Sequence, residues 1–380
     1  MKAIKTIIKR ILPTPFLKSA FLLYNKFKIV TIDRLLFPEY KIDRQDFLIF
    51  RKGFPFRECA INLDDMPDNK VKTYMKDWFE WTQEEFIIEV NRPCWIEPNY
   101  GWAIVSPNKL IYYSLGVSRT WFQPKPNLFK LLRKKNKQKL SRAISLRDSG
   151  EENYFHFYND VVAKLHFLEL NNVNVRSLPV IVSRKLWNKE YFQFYLKSLE
   201  VMKSISWVIQ DNQYIHCDSV IFCKPLTHRK DVWNLIISPM KINQPKADKK
   251  IFITRNKSRL RFIENIVEID SICRQRGFEV IDSETLSPAE QIETFSQASC
   301  IIGIHGAGLT NMVFSGEGCR VMELFPPPDQ GYLPFHYIML AKMSNMRYRA
   351  IIGEPGRILY SGGFYLDKNV FLNELAEFEL

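Results

Sequence analysis

Nowhere does the chain run to the roughly 18 consecutive apolar residues that a membrane-spanning helix needs, and its opening residues lack the uninterrupted apolar core of a secretory leader. Neither a span nor a leader is therefore expected. Cysteine is sparse and scattered: seven residues, at positions 59, 94, 217, 223, 273, 300 and 319, with no C-x-x-C spacing. An odd set so dispersed argues against a disulfide framework and against a zinc site, and it fits a reducing cytoplasm. With 15 glycines and 20 prolines in 380 residues there is no bias toward disorder, and no repeat suggests a solenoid. The basic run from Arg133 to Arg142 contains no aromatic residue, which weighs against single-stranded nucleic acid as a partner.

What is present is ordinary globular composition, 46% hydrophobic and 25% charged, in a chain long enough for two domains. The net charge of +13 implies an anionic partner without choosing among nucleic acid, a membrane surface or a phosphorylated substrate. At the start, "MKAIKTIIKRIL" places Ile4, Ile7, Ile8, Ile11 and Leu12 on one helical face, with Lys2, Lys5 and Lys9 elsewhere. This basic amphipathic segment reads as a peripheral attachment to an anionic bilayer surface, with packing on a core as the alternative. A second run, Arg133, Lys134, Lys135, Lys137, Lys139 and Arg142, reads as a solvated face or an anionic contact.

Four short β runs lie between Phe86 and Ser114 and read as a meander. From about Ala143 strands alternate with helices: "AISL", a helix over Tyr154–Leu170, "LPVIVS", a helix near Trp187–Leu199, "ISWVI" and "SVIFC". The polar stretch 241–248 is a candidate linker. A second α/β unit follows: "KIFITR", a helix over "RFIENIVEIDSICRQRG" closed by Gly277, "FEVID", and a helix with Ser287 as cap, Pro288 at its first position and Glu290 completing a capping box. Next come "CIIGI", the turn His305-Gly306-Ala307-Gly308, a short helix to Phe314 and the strand "RVMELF". The alternation predicts an α/β fold, two Rossmann-like domains facing a cleft, with mostly parallel sheets.

Ligands of such sheets bind beyond the carboxyl ends of the strands, where glycines let the backbone approach and the next helix offers unpaired N–H groups. An anion belongs at His305–Gly308, or else the turn is simply tight and its histidine structural. Arg255, Lys257, Arg259 and Arg261 follow another strand of the same sheet, and guanidinium groups suit a diphosphate. Glu323, at the end of the next strand, is placed to accept bonds from ribose hydroxyls.

These residues resemble family 61 of the glycosyltransferases, which pairs an R-x-x-x-R-x-R-x-I-x-N stretch (Arg255, Arg259, Arg261, Ile263, Asn265) with Gln291, a HGAGLTN block (His305, Gly306, Ala307, Gly308, Leu309, Thr310, Asn311), Phe314 and Glu323. Ile266 departs from the glutamate usual there. The resemblance implies a GT-B fold: a basic segment (1–30), an acceptor-binding domain (31–240), a domain binding the nucleotide-sugar (241–355) and a C-terminal tail (356–380). It implies inverting transfer from a nucleotide-sugar, a UDP-sugar by preference, to a glycan or lipid-linked glycan, with donor contacts across Arg255, Arg259, Arg261, His305–Asn311 and Glu323. "NYFHFYNDVVAKL" resembles the family's His-aromatic stretch, and His156 and Asp160 share one helical face. Inverting transfer needs a general base, and Asp160 is expected to serve with His156 assisting.

The chain has no D-x-D motif, so no metal and no further cofactor is expected. Bacterial surface glycan synthesis, such as capsule or lipopolysaccharide, at the cytoplasmic face of the inner membrane is the expected setting. A polysaccharide pyruvyltransferase-like enzyme and a nucleic-acid-binding protein are the alternatives.

Overall fold

The computed structural model describes residues 31–61, 69–115, 123–132, 136–240, 247–255, 261–328, 333–358 and 362–379. The basic N-terminal segment, Arg133–Lys135, Lys257, Arg259 and most of the candidate linker lie outside them.

A mixed sheet comes first. Its strands are β1 (Phe47–Pro55), β2 (Thr82–Val90), β3 (Cys94–Ile96), β4 (Ala103–Val105), β5 (Lys109–Ile111), β6 (Asn136–Ser145), β7 (Pro179–Ser183), β8 (Ser206–Gln210) and β9 (Tyr214–Lys224), in the order β5-β4-β3-β9-β6-β7-β8, with β2 also beside β9 and β1 outside β2. The expected meander is antiparallel, and β9 fuses it to a parallel half formed with β6, β7 and β8. The sheet is therefore not the mostly parallel one anticipated. The described part of the second basic run lies in β6, and its Lys139 and Arg142 side chains are exposed, in keeping with a solvated face. Arg142 grips Glu89 of β2 with two bonds of 2.6 and 2.9 Å, and Lys139 lies 3.3 Å from Asp218 of β9.

The second sheet is wholly parallel: β10 (Lys249–Ile253), β11 (Phe278–Ile281), β12 (Ala298–Ile304), β13 (Arg320–Phe325) and β14 (Arg347–Ile352), ordered β11-β10-β12-β13-β14. Its central strands are apolar on both faces because both are covered. Ile269, Ile272 and Cys273 of helix Ile266–Gln275 pack on one face together with Phe371, Leu375 and Phe378 of helix Lys368–Glu379. Helices Pro288–Ser296, Ala307–Phe314 and His336–Met343 cover the other. The C-terminal helix thus belongs to this layer.

Local chemistry sets several boundaries as anticipated. Ser287 Oγ accepts from the Glu290 N–H while Glu290 accepts from the Ser287 N–H. Gly277, at φ 80°, ends the helix that precedes β11. That helix, however, starts at Ile266 rather than at Arg261. Ile263 bridges to Phe364, and the Asn265 side chain bonds both backbone groups of Leu366 at 2.9 and 3.1 Å, so the segment from Arg261 to Asn265 is pinned outside the helix. One buried cluster runs through both halves, from Phe157 and Tyr158 to Phe295, Leu309, Met312 and Tyr337. No helix of the described residues is long and apolar enough to cross a membrane.

Candidate functional site

Strand order decides where a ligand belongs. From β10 the chain moves outward to β11, then returns past β10 to β12, so the connections leave in opposite directions at the β10/β12 boundary. The crevice beyond the carboxyl ends of those two strands is the binding position of an open parallel sheet. Arg255 stands two residues past β10 and His305 one past β12.

The two meet. A Cβ built on Gly306 would lie 2.3 Å from Arg255 Nη2 and 3.0 Å from its Cζ, so the guanidinium rests directly on that glycine. Gly308 gives the same room to Ser283, whose Oγ would be 2.6 Å from an added Cβ. Arg261 is exposed, with a left-handed backbone (φ 65°) and its N–H bonded to Gly362 O at 2.8 Å. Both arginines act electrostatically on Tyr337, whose phenol is nonetheless held above its ordinary pKa, chiefly by burial.

Behind the turn stands a buried chain of groups. His305 Nδ1 meets Glu323 Oε1, and the Tyr348 hydroxyl donates to Glu323 Oε2 at 2.5 Å. Burial first, then the Glu323 charge, keeps Tyr348 protonated. An ionised carboxylate only accepts, so His305 carries its proton on Nδ1 and turns Nε2 elsewhere. The ring stacks on Phe325 at 5.1 Å. Glu323 is fully buried with both oxygens engaged, which does not fit the expected bond to a ribose. It orients His305 instead.

Leu309, Thr310 and Asn311 are likewise fully buried, so their side chains do not face a ligand as anticipated. Asn311 ties three elements together: its amide donates to Gln291 Oε1 at 2.7 Å, and its carbonyl accepts from the Tyr154 hydroxyl at 2.8 Å. Ala307 and Gly308 remain partly exposed.

The opposing wall comes from the first half. Asn153 caps helix Tyr154–Phe157 by accepting from the Phe155 and His156 N–H groups. The helix widens into a π turn over Tyr158–Val162 before resuming as Ala163–Leu170. Such turns are rare and occur mostly as single turns within α-helices, often at functional sites. Across the junction His156 Nδ1, in the turn before it, meets Asp160 Oδ2 at 2.7 Å.

Asp160 is also bonded by Lys224 Nζ and by Asn159 Nδ2, the latter at 3.1 Å. Lys224 lies 4.0 Å from Asp148, which in turn binds Lys164 at 3.1 Å. Four buried charges thus compensate one another. Burial disfavours the Lys164 ammonium, but Asp148, helped by Cys223 and Asp160, outweighs it and raises the pKa.

The anticipated order of roles does not fit this arrangement. Asp160 has no exposed side-chain surface, whereas the His156 side chain is 24% exposed. Asp160 holds; His156 faces out.

Ring contacts join the two walls. Phe155 lies 5.3 Å from His156 and 5.9 Å from Tyr337, and Tyr337 lies 5.5 Å from His305. Lys224, Tyr337, Tyr348 and His228 were not identified from the sequence. The one signal for Lys224 is a lysine closing an otherwise buried strand, "SVIFCK". Two cavities of about 520 and 380 Å³ lie elsewhere, and of the site residues Tyr348 alone lines one of them, the smaller.

No curated protein matches the chain significantly. Residues 154–322 match the family model described as Glycosyltransferase 61. The match takes in the His156–Asp160 pair, Lys224, Arg255 and the His305 turn, both walls of the site, and over that span, less than half of the chain, the protein is similar to glycosyltransferase family 61.

Proposed function

We propose that this protein is a glycosyltransferase that moves a sugar, with inversion, from a UDP-sugar to a hydroxyl of a glycan or lipid-linked glycan in bacterial surface polysaccharide synthesis. The observation that carries the reading is Arg255 lying on Gly306 beside His305 at the sheet's switch point, opposite a partly exposed His156. In this reading the two sheets are the halves of a GT-B enzyme, residues 31–240 serving the acceptor and 241–355 the donor. Arg255, Arg261 and the His305–Gly308 turn hold the diphosphate, and Arg259 adds to their charge. Positive groups there stabilise the departing diphosphate without a metal.

His156 accepts the proton of the attacking hydroxyl. Asp160 fixes the ring and stabilises the imidazolium that forms, and Lys224 holds Asp160. The acceptor oxygen attacks the anomeric carbon from the face opposite the diphosphate, which leaves with the bonding pair, so the configuration inverts.

UDP release and sugar transfer to p-nitrophenyl glycosides, measured in EDTA with UDP-, GDP-, CMP- and dTDP-sugars, test the proposal. Transfer from a UDP-sugar is expected. No transfer from any donor, with or without manganese, sinks it; transfer only with manganese sinks the metal-free part. The basic segment 1–30 is proposed to hold the enzyme on the cytoplasmic surface of the inner membrane. Equal pelleting of a form lacking residues 1–10 with anionic liposomes would exclude that role.

A further inference from the structure

His228 lies four residues beyond β9, in no motif, yet it stands against the proposed acceptor wall. Its ring is parallel to Trp233 at 6.3 Å, 5.7 Å from Phe155 and 5.6 Å from His336. Its backbone N–H donates to Oδ1 of Asn159, the neighbour of Asp160, at 3.4 Å. The residue is only 5% exposed, and neither ring nitrogen has a hydrogen-bond partner among the described residues.

Burying an imidazole with neither nitrogen bonded forfeits the hydration of both, and nearly all buried polar groups avoid this. The backbone is left-handed, at φ 59°, a region in which histidine is enriched among the non-glycine residues. A phenylalanine would satisfy the same ring contacts without the desolvation cost. Packing alone therefore does not account for a histidine here.

What the ring offers is specific. Burial pushes its pKa down to about 3, with Asp160 opposing and Lys224 assisting, so it is neutral at working pH. A neutral imidazole presents one donor and one acceptor, which match a hydroxyl group and not an anion. Around Phe155 it shares its position with His156 and His336, both only partly covered.

We propose that His228 is a specificity-determining residue that receives a hydroxyl of the acceptor sugar while His156 engages the reacting one. This rests on the glycosyltransfer reading above. The nitrogens are covered in the free protein, so binding entails movement of the side chains at the rim, His336 foremost.

The test is His228→Phe, which keeps the ring contacts and removes both nitrogens, assayed with a UDP-sugar and a p-nitrophenyl glycoside that the wild type uses. The thermal midpoint should hold or rise and UDP affinity should stay unchanged, while the acceptor KM rises at least tenfold. A deoxy acceptor lacking the bound hydroxyl should be penalised by the wild type and not by the variant. Should phenylalanine not be accommodated, His228→Met gives the same readouts. An unchanged acceptor KM in a folded variant overturns the inference alone, as a nitrogen bonded only to trapped water would produce. Absence of any transfer by the wild type overturns the glycosyltransfer reading and the inference with it.

Discussion

Replacing Gly306 by alanine adds one methyl group to a backbone already extended at φ 163°, a conformation any residue adopts, so the substitution carries no backbone strain. The added carbon has nowhere to sit. It would come within 2.3 Å of Arg255 Nη2, 3.0 Å of Cζ and 3.4 Å of Nη1, and something must yield. The yielding group is the tip of a long, flexible side chain rather than backbone, so the fold should tolerate the change. Lower chain entropy in the unfolded state offsets part of the disturbance, and stability should stay within about 1 kcal/mol of the wild type.

Binding should not. If the guanidinium supplies charge-assisted bonds to the diphosphate, moving it costs about 1.5–3 kcal/mol, or about 10- to 150-fold in Kd for UDP. Arg255→Ala should cost a similar amount. Because the first variant acts through the second residue, the double variant should bind UDP no worse than Arg255→Ala alone. Gly316→Ala, whose added Cβ meets nothing within 4 Å, serves as control. Calorimetric titration of UDP into the wild type and the four variants decides the matter. Unchanged UDP affinity in Gly306→Ala, or penalties of the two substitutions that simply add, would refute the argument.

Three further outcomes are expected. His156→Ala should lower kcat about 10²-fold or more with UDP affinity retained, whereas Asp160→Asn should also lose about 3 kcal/mol of stability because Lys224 loses its nearer counter-ion and keeps Asp148, at 4.0 Å, which it shares with Lys164. An Asp160→Asn protein as stable as the wild type but inactive would return the base to Asp160. Asn311→Ala should cost about 1–3 kcal/mol in urea unfolding by stripping partners from Tyr154 and Gln291, and a neutral result would deny that this side chain ties the halves together. Burial lowers the pKa of His166 to about 4, so above the unfolded value near 6.5 its contribution is fully present, and as pH falls toward 4 about 3 kcal/mol is lost. His166→Phe should flatten that slope, and an unaltered pH dependence in the variant would exclude the histidine as its source.

Much of the architecture was legible because it is local. The continuous apolar character of "CIIGI" marks a strand covered on both faces, Ser287 and Glu290 announce a helix start, and Gly277 a helix end. The Gly-rich turn and the arginine after "KIFIT" were placed together by strand-end logic, which needs only the order of elements. What was misread involved partners far away in the chain. The basic run gave no sign of the partners that Asp218 and Glu89 supply to Lys139 and Arg142 from neighbouring strands. Arg261 precedes its helix because Phe364 and Leu366, a hundred residues on, claim the segment between.

The roles of His156 and Asp160 turn on the same physics. Spacing of four places them on one helical face and says nothing about which of them is covered. That is decided by Lys224, which arrives at the end of β9 and reaches the carboxylate together with Asn159. Once Asp160 is enclosed by an ammonium and an amide, exposing it would break a buried ion pair, whereas His156 keeps part of its ring toward solvent at no such cost. Glu323 repeats the pattern across the crevice, where Tyr348 takes one oxygen and His305 the other. At each wall a carboxylate is withdrawn to hold an imidazole. Charge-bearing residues read from a motif are therefore candidates for two positions, facing the ligand or holding the group that does. Only the long-range partner tells them apart.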